Sequence, residues 1–335
     1  MESSIAADLT KDVTDADRRR NRLIRQLLFG CTSITVVTTI AIFLVLFDNA
    51  FQFFTEERFF AWLSGMIVDL HLYFPERRAG LIEFLTGTEW RPSHADDPQV
   101  GILPLVAGTL LVTVGAAFIS IPIGTATALY LSEYARPSSR RYLKPTLEVL
   151  AGIPTIVYGF FALTFITPNL VGPFGALLGV DVGRFSALSG AIVVGVMTIP
   201  MVASISEDAM SAVPNELRNG AYALGASKHS VSLNIVLPAS ISGVMASYIL
   251  AVSRAIGETM AVVLAAGVSP NLTANPFTEI QTMTSFMVDS TRSTMVVGSI
   301  DYQSLFAVGL ALFLMTLAAN VLNDHIKRRY REVYR

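Results

Sequence analysis

The chain has 335 residues, of which 52% are hydrophobic and only 15% are charged, and its mean hydropathy is +0.55. A soluble domain carries about 25% charged residues, so this composition excludes an ordinary soluble protein and favours a membrane protein. The net charge of −2 gives no basic footprint for nucleic acid. The single cysteine, Cys31, excludes an internal disulfide and a thiolate metal cluster.

Six apolar segments are long enough to cross a membrane, which takes about 20 residues of helix. The predicted spans are 26–47, 100–132, 149–166, 185–206, 238–267 and 302–323. Pro122 offers a kink or break in the second span, and Pro168 and the Gly172-Pro173 pair are predicted to end the third. The first apolar run is longer than the core of a cleaved signal, so we predict that it remains as an anchor.

The polar segment between the first two spans contains one ambiguous stretch, 59–74, with Asp69 and His71 inside it. It is too short and too charged for a span, so we predict an amphipathic helix at the membrane surface or within an external loop. With six spans and a cytoplasmic N-terminus, 17 Lys and Arg residues fall inside and 6 outside, as the positive-inside rule requires. A seventh span at 59–74 would place the basic loop 136–144 and the basic tail 327–331 outside.

The predicted fold is therefore an all-α polytopic membrane bundle of about six transmembrane helices, with both termini cytoplasmic. A cytoplasmic tail at 1–25 precedes the first helix, and an external loop at 48–99 follows it. The transmembrane core at 100–323 contains a cytoplasmic loop at 207–237. A second cytoplasmic tail occupies 324–335.

The loop between the fourth and fifth spans is patterned as a short helix. Pro214 suits a first helical turn, and Glu216 suits the positive end of the helix dipole. Leu217, Ala221 and Leu224 form one small apolar stripe, and Gly225 is placed to end the helix. Such a helix is suited to docking in a groove of another protein. The chain contains no G-x-x-x-x-G-K-[ST] motif, so if ATP drives this protein, another subunit binds it.

This loop resembles the signature of ABC-importer permeases, which is E-A-A, three residues, Gly, nine residues, and I-x-L-P. The matching positions are Asn219, Gly220, Ala221, Gly225, Ile235, Leu237 and Pro238. Asn219 stands where the family has Glu, and Gly220 where it has Ala. The resemblance implies that 207–237 is the coupling loop and that its helix contacts an ATPase subunit. The coupling residues that it implies are Leu217, Asn219, Gly220, Ala221, Leu224 and Gly225.

Four further segments resemble the PstC family of phosphate permeases within that superfamily. They are 84–90 (FLTGTEW), 151–159 (AGIPTIVYG), 224–227 (LGAS) and 254–262 (RAIGETMAV). The resemblance runs from about Leu81 to the end of the chain and implies a MetI-like core in the cell (inner) membrane. It also implies a PstA-like second permease, two copies of a PstB-like ATPase that binds the ATP, and an external PstS-like phosphate-binding protein. The subunit itself would hold no cofactor or metal and catalyse no covalent chemistry.

Arg254 and Glu258 place two charges inside the fifth span. One charge at the centre of a membrane helix costs on the order of 3 kcal/mol, so such residues usually mark a transport pathway. Their i, i+4 spacing predicts a pair on one helix face, and the planar donor fork of Arg suits an oxyanion. We therefore predict that both residues line the substrate pathway. A structural ion pair between helices is the alternative for the pair.

Arg254 cannot by itself distinguish tetrahedral anions, so sulfate and molybdate stay open beside phosphate. A membrane-embedded enzyme or signalling protein is the rival class. An intramembrane hydrolase would need a nucleophile–base pair or metal ligands within its spans. The predicted spans offer Arg254 and Glu258 but no histidine, which argues against that class.

Overall fold

A computed structural model describes residues 15–55, 59, 80–94, 98–292 and 299–329. Apart from Phe59, the stretch predicted to be amphipathic, 59–74, lies outside these residues. The described residues form helices and one pair of two-residue antiparallel strands, β1 (Trp90–Arg91) and β2 (Gln99–Val100), in which Trp90 lies opposite Val100. The prediction of an all-α fold is confirmed, with this small hairpin as an addition.

The first helix, α1 (Asp15–Phe54), extends beyond both ends of the predicted first span. Its 40 residues make it about 60 Å long, which is twice the thickness of the hydrocarbon core. It packs against the last helix, α14 (Ile300–Arg329), and within its described part no residue of its most apolar stretch is buried. The first span is therefore a peripheral helix beside the core.

The short helix α2 (Leu81–Thr86) and the two strands close one end of the bundle, which we call the strand end. An apolar cluster forms here from aromatic side chains of distant segments. Its largest buried members are Phe53, Phe84, Trp90, Leu105 and Phe286. The Trp90 and Phe286 rings meet edge to face with their centroids 5.0 Å apart. This cluster joins the end of α1 to the core.

The centre of the core is a pair of long helices, α3 (Leu103–Leu129) and α7 (Ala187–Ser211). Small residues let them approach closely, because a Cβ atom on Gly115 would lie 2.6 Å from the Cβ atom of Ala191. Both helices contain a proline, Pro122 and Pro200, and both continue past it. The break offered by Pro122 is therefore not used. After Leu129 the helix continues as a π-helical turn, Tyr130–Tyr134.

The third span differs from its prediction at both ends. Residues 137–151 form a separate amphipathic helix, α4 (Pro137–Ala151). The span itself consists of α5 (Thr155–Phe161), the π-helical segment Ala162–Val171 and α6 (Gly172–Leu177). Pro168 does not end it, because the wider π-helical turns accommodate a residue that has no N–H group to donate.

A short helix, α8 (Asn215–Ala223), lies at the opposite end of the bundle, which we call the α8 end. After it the chain re-enters the bundle through α9 (Lys228–Val231), the π-helical segment Ser232–Val236 and α10 (Leu237–Ala239). A bend of 72° separates this part from α11 (Ile241–Ile256).

The predicted fifth span, 238–267, is not one helix. It breaks at Gly257, and α12 (Met260–Ala266) begins three residues later. The helix α13 (Met283–Ser290) then leads to α14. In the described part of the chain, five helices are long and apolar enough to cross a membrane, or six if the bent pair around Ser240 counts as one span. This count agrees with the predicted six.

Candidate functional site: a cavity lined by Arg254 and the short helix α8

The boundaries of α8 are set by local signals. Pro214 precedes its first residue, and Glu216 lies in its first turn. At the other end, Gly225 has a φ of +81°, a conformation that favours glycine. The Gly225 N–H donates to the Tyr222 carbonyl, and the Ala226 N–H donates to the Ala221 carbonyl, which together form a Schellman motif. The predictions for Pro214, Glu216 and Gly225 as boundary residues are confirmed.

The predicted coupling residues lie on α8 and at the two positions after it, and they form two groups. Leu217 and Leu224 are exposed, the latter by 91% of its surface, and Asn219, Gly220 and Gly225 are exposed beside them. Ala221 is half-buried and packs on an apolar cluster at the α8 end that includes Met210 and Val236. Leu217 and Leu224 therefore face outward, whereas Ala221 packs against the bundle.

Arg218 fixes α8 to two other segments, and the sequence did not single it out. Its side chain is only 13% exposed, and Nε and Nη2 donate to Glu133 Oε1 at 3.2 and 2.9 Å. Nη2 also donates to the Met210 carbonyl at 2.8 Å. Nη1 donates to the Val213 carbonyl and to Asn215 Oδ1. Glu133 lies on the π-helical turn after α3, so one guanidinium joins α8, that turn and the end of α7.

A second contact joins the same turn to the segment after α8. The Lys228 ammonium lies 5.0 Å from the centroid of the Tyr134 ring, a cation–π distance. The turn after α3 is therefore contacted by Arg218 of α8 and by Lys228 at the start of α9.

Arg254 lies in the last turn of α11 and is exposed. It lines a cavity of about 360 Å³ between α11, α7 and α4. The other lining residues are Leu147, Glu148, Ala151, Met197, Pro200, Met201, Ser204 and Ile205. Glu148 is the second charged side chain of the lining. The cavity thus offers one guanidinium on an otherwise largely apolar wall, with a carboxylate on α4.

Glu258 does not share a helix face with Arg254, which corrects the prediction from their spacing. The helix ends at Ile256, so the i, i+4 geometry is lost at Gly257. Both residues are described by the structure, and no ion pair within 4.0 Å joins them. Glu258 is 8% exposed, and its Oε1 atom accepts from the Ala261 N–H at 3.4 Å, at the start of α12. Its carbonyl accepts from the Thr284 hydroxyl at 2.7 Å.

A fully buried carboxylate, Glu207, lies in the last turns of α7 and was also missed by the sequence. Arg140 of α4 donates to Glu207 Oε1, and Lys144 Nζ donates to Oε2 at 2.7 Å. The Ser211 hydroxyl donates to Oε1 at 2.8 Å. Asp208 gives Lys144 a second carboxylate partner. The i, i+4 spacing of the two α4 cations was an available signal, but nothing in the sequence placed α4 against α7.

Lys144 lies outside the membrane-spanning segments, and two opposing effects act on its pKa. Burial alone would lower the pKa of this ammonium, but hydrogen bonds to Asp208 and Glu207, and the charges of both, raise it above its usual value. Lys144 therefore stays protonated at neutral pH and keeps its charge opposite Glu207.

The family described as binding-protein-dependent transport system inner membrane component matches residues 120–332. These residues include α8, Arg254, and the polar contacts described above around Arg218 and around Glu207. The chain belongs to this family of importer permeases, which are non-catalytic subunits whose ATP is hydrolysed by separate subunits.

Individual relatives within this family are also similar to the chain. It is 33% identical to the phosphate transport system permease protein PstC of Xylella fastidiosa over 72% of this chain and 77% of the relative. It is 32% identical to PstC of Haemophilus influenzae over 72% and 79%. The probable ABC transporter permease protein YqgH of Bacillus subtilis is 35% identical over 74% and 78%. The resemblance to PstC is confirmed.

Solved structures share the fold. A chain of a bacterial alginate ABC transporter, in complex with a pentasaccharide-bound periplasmic protein, aligns with a TM-score of 0.56 and 14% identity, over 95% of this chain and 98% of that one. A chain of the MetNI methionine ABC transporter, in an inward-facing conformation, aligns with a TM-score of 0.50 and 15% identity, over 69% and 95%. The MetI-like core that was predicted for this chain is confirmed as its fold.

Proposed function

We propose that this chain is the transmembrane permease subunit of an ATP-driven importer of inorganic phosphate. The observation that carries the proposal is the exposed Arg254 guanidinium on the wall of the 360 Å³ cavity. Arginine binds tetrahedral oxyanions through two parallel N–H donors, which a point charge cannot reproduce. The similarity to PstC proteins supports phosphate as the anion.

The cavity is built to bind an anion weakly. Arg254 supplies attraction, whereas Glu148 on α4 repels a negatively charged substrate. A transport site must bind its anion favourably enough for the anion to enter, and weakly enough for the anion to leave. One arginine opposed by one carboxylate therefore suits transport better than tight binding. Glu258 adds a second negative charge next to the last turn of α11.

The orientation follows from the charge distribution of the loops. Both termini and the α8 end lie in the cytoplasm, and the strand end lies outside. A PstB-like ATPase would then dock on the exposed leucines of α8, and a PstS-like binding protein would deliver phosphate at the strand end. A PstA-like permease would form the other half of the pathway facing Arg254.

The test is phosphate uptake by cells or vesicles that carry variants at matched membrane abundance. Arg254→Gln should abolish uptake with the complex still assembled, and Arg254→Lys should restore it poorly because the ammonium lacks the bidentate fork. Arg141→Gln is the matched control, since Arg141 is an exposed arginine of α4 that makes no ion pair within 4.0 Å among the described residues.

Competition decides between anions. Excess unlabelled phosphate should block uptake of labelled phosphate, whereas sulfate and molybdate should not. Near-normal uptake by Arg254→Gln would contradict a pathway role for Arg254. Uptake of sulfate or molybdate in place of phosphate would assign the transporter to that other oxyanion.

A further inference from the structure

The last turns of α7 hold two neighbouring segments at once. On one side, the Glu207 carboxylate and the Ser211 hydroxyl bind Arg140 and Lys144 of α4. Just beyond, the carbonyls of Met210 and Val213 accept from Arg218 of α8. Glu207 and Met210 are one helical turn apart. The end of α7 is therefore a common attachment point for α8 and for α4.

The position of α4 depends on its polar contacts. The structure describes all of α4, and none of its residues is buried. An amphipathic helix without buried side chains has little apolar packing to hold it in place. It is attached to the fully buried Glu207 of α7 through Arg140 and Lys144. Removing that carboxylate would leave Lys144 with Asp208 and Arg140 with Ser211, so α4 would be held less firmly against α7.

The same helix forms a wall of the Arg254 cavity. Leu147, Glu148 and Ala151 line the cavity, and Lys144 lies about one turn before them on α4. A displacement of the Arg140–Lys144 end of α4 therefore moves Glu148, the carboxylate that lines the cavity. The geometry of the cavity is tied to the Glu207 network.

The contact of α8 to α7 is also rigid. The five N–H donors of Arg218 serve Glu133, two backbone carbonyls and Asn215, so the guanidinium has one arrangement that satisfies all of them. Lysine at this position could not make these contacts, because it has three donors on a flexible stem. Movement of α8 is therefore passed to the end of α7 and to the π-helical turn after α3.

We propose that Arg218 and Glu207 are positioning residues that transmit movement of α8 to the α4 wall of the Arg254 cavity. Arg218 couples α8 to α7, and Glu207 couples α7 to α4. The proposal rests on the proposed function, because it assumes that an ATPase moves α8 and that an anion occupies the cavity. Neither residue touches the anion.

The test is the amount of phosphate transported per ATP hydrolysed by the whole transporter in proteoliposomes, with the second permease, the ATPase and the binding protein present. Glu207→Gln and Arg218→Gln should keep ATP hydrolysis within about twofold of the parent, while phosphate transported per ATP falls about tenfold. Arg218→Lys should be defective in the same way. Arg141→Gln, which removes a charge from α4 without touching either network, should keep the parental ratio.

The double variant tests whether the two residues act in one series. If they do, Glu207→Gln with Arg218→Gln should transport no less phosphate per ATP than the worse single variant. The proposal would be overturned if the losses of the two single variants multiplied in the double variant, or if both single variants kept the parental amount of phosphate per ATP. A parallel loss of ATP hydrolysis and phosphate transport, as expected from simple destabilisation, would also overturn it. Failure of the proposed function is distinguishable, because the parental transporter itself would then move no phosphate.

Discussion

At the scale of single residues, Glu258 combines a structural and an electrostatic role that one substitution can separate. Its carboxylate accepts from the Ala261 N–H at the start of α12, and it is a buried charge next to the last turn of α11. Glutamine keeps the accepting oxygen and removes the charge. We expect Glu258→Gln to assemble normally but to lose most phosphate uptake, because the charge balance around Arg254 is lost even without direct contact. Uptake at matched abundance measures this, and near-normal transport would reduce Glu258 to a helix cap.

The residue scale also shows where a sequence can mislead. Arg254 and Glu258 stand out in the sequence, because charge inside an apolar segment is visible without a structure. Their assumed pairing was wrong, since an i, i+4 argument holds only while the helix continues, and Gly257 ends it. Arg218 and Glu207 had no such signal. Both lie in the predicted cytoplasmic loop 207–237, where charged residues are common, and their charged partners are distant in sequence.

At the scale of elements, the end of α8 gives a prediction about backbone conformation. Gly225 has a φ of +81°, which costs a residue with a Cβ atom about 1–2 kcal/mol, and more if it is β-branched. Gly225→Ile should therefore distort the end of α8 and lower ATP-driven uptake, while the chain still inserts into the membrane. Uptake and membrane abundance measured together check this.

Gly179 provides the matched control for that substitution. It also has a positive φ, +71°, and a Cβ atom there would meet nothing within 4 Å. Because Gly179 follows α6, far from α8 in the fold, Gly179→Ile imposes similar strain without touching α8. We expect much smaller loss of uptake. Equal defects in both variants, or normal uptake by Gly225→Ile, would contradict a specific role for the α8 terminus.

The elements that sequence analysis predicted well are those with local causes. The boundaries of α8 follow from Pro214, Glu216 and Gly225, and the apolar spans follow from their length. The errors occurred at proline and glycine residues whose effect on a helix depends on tertiary packing. Pro168 did not end the third span, and Gly257 broke the fifth. Whether a proline is absorbed in π-helical turns depends on neighbouring helices, which a single segment does not reveal.

At the scale of the whole molecule, the six-span topology makes a labelling prediction. In a Cys31→Ser background the chain has no other cysteine, so single cysteines report cleanly. Cysteines at Glu76 and at Pro98 should both react with an impermeant reagent from outside. A cysteine at Tyr142, which is 74% exposed on α4, should react only from inside. Reaction of both Glu76 and Pro98 cysteines only from inside would establish a further span at 59–74.

The burial of the two networks has a consequence for the range of conditions in which this molecule works. Dissolved salt weakens attraction between exposed charges more than about 8 Å apart at physiological ionic strength, but it acts little on charges that water does not reach. Glu207 is fully buried, and the Glu133 side chain is only 5% exposed. The contacts of these two carboxylates are therefore less sensitive to salt than pairs of exposed charges, so a cell that accumulates potassium under osmotic stress would loosen them little.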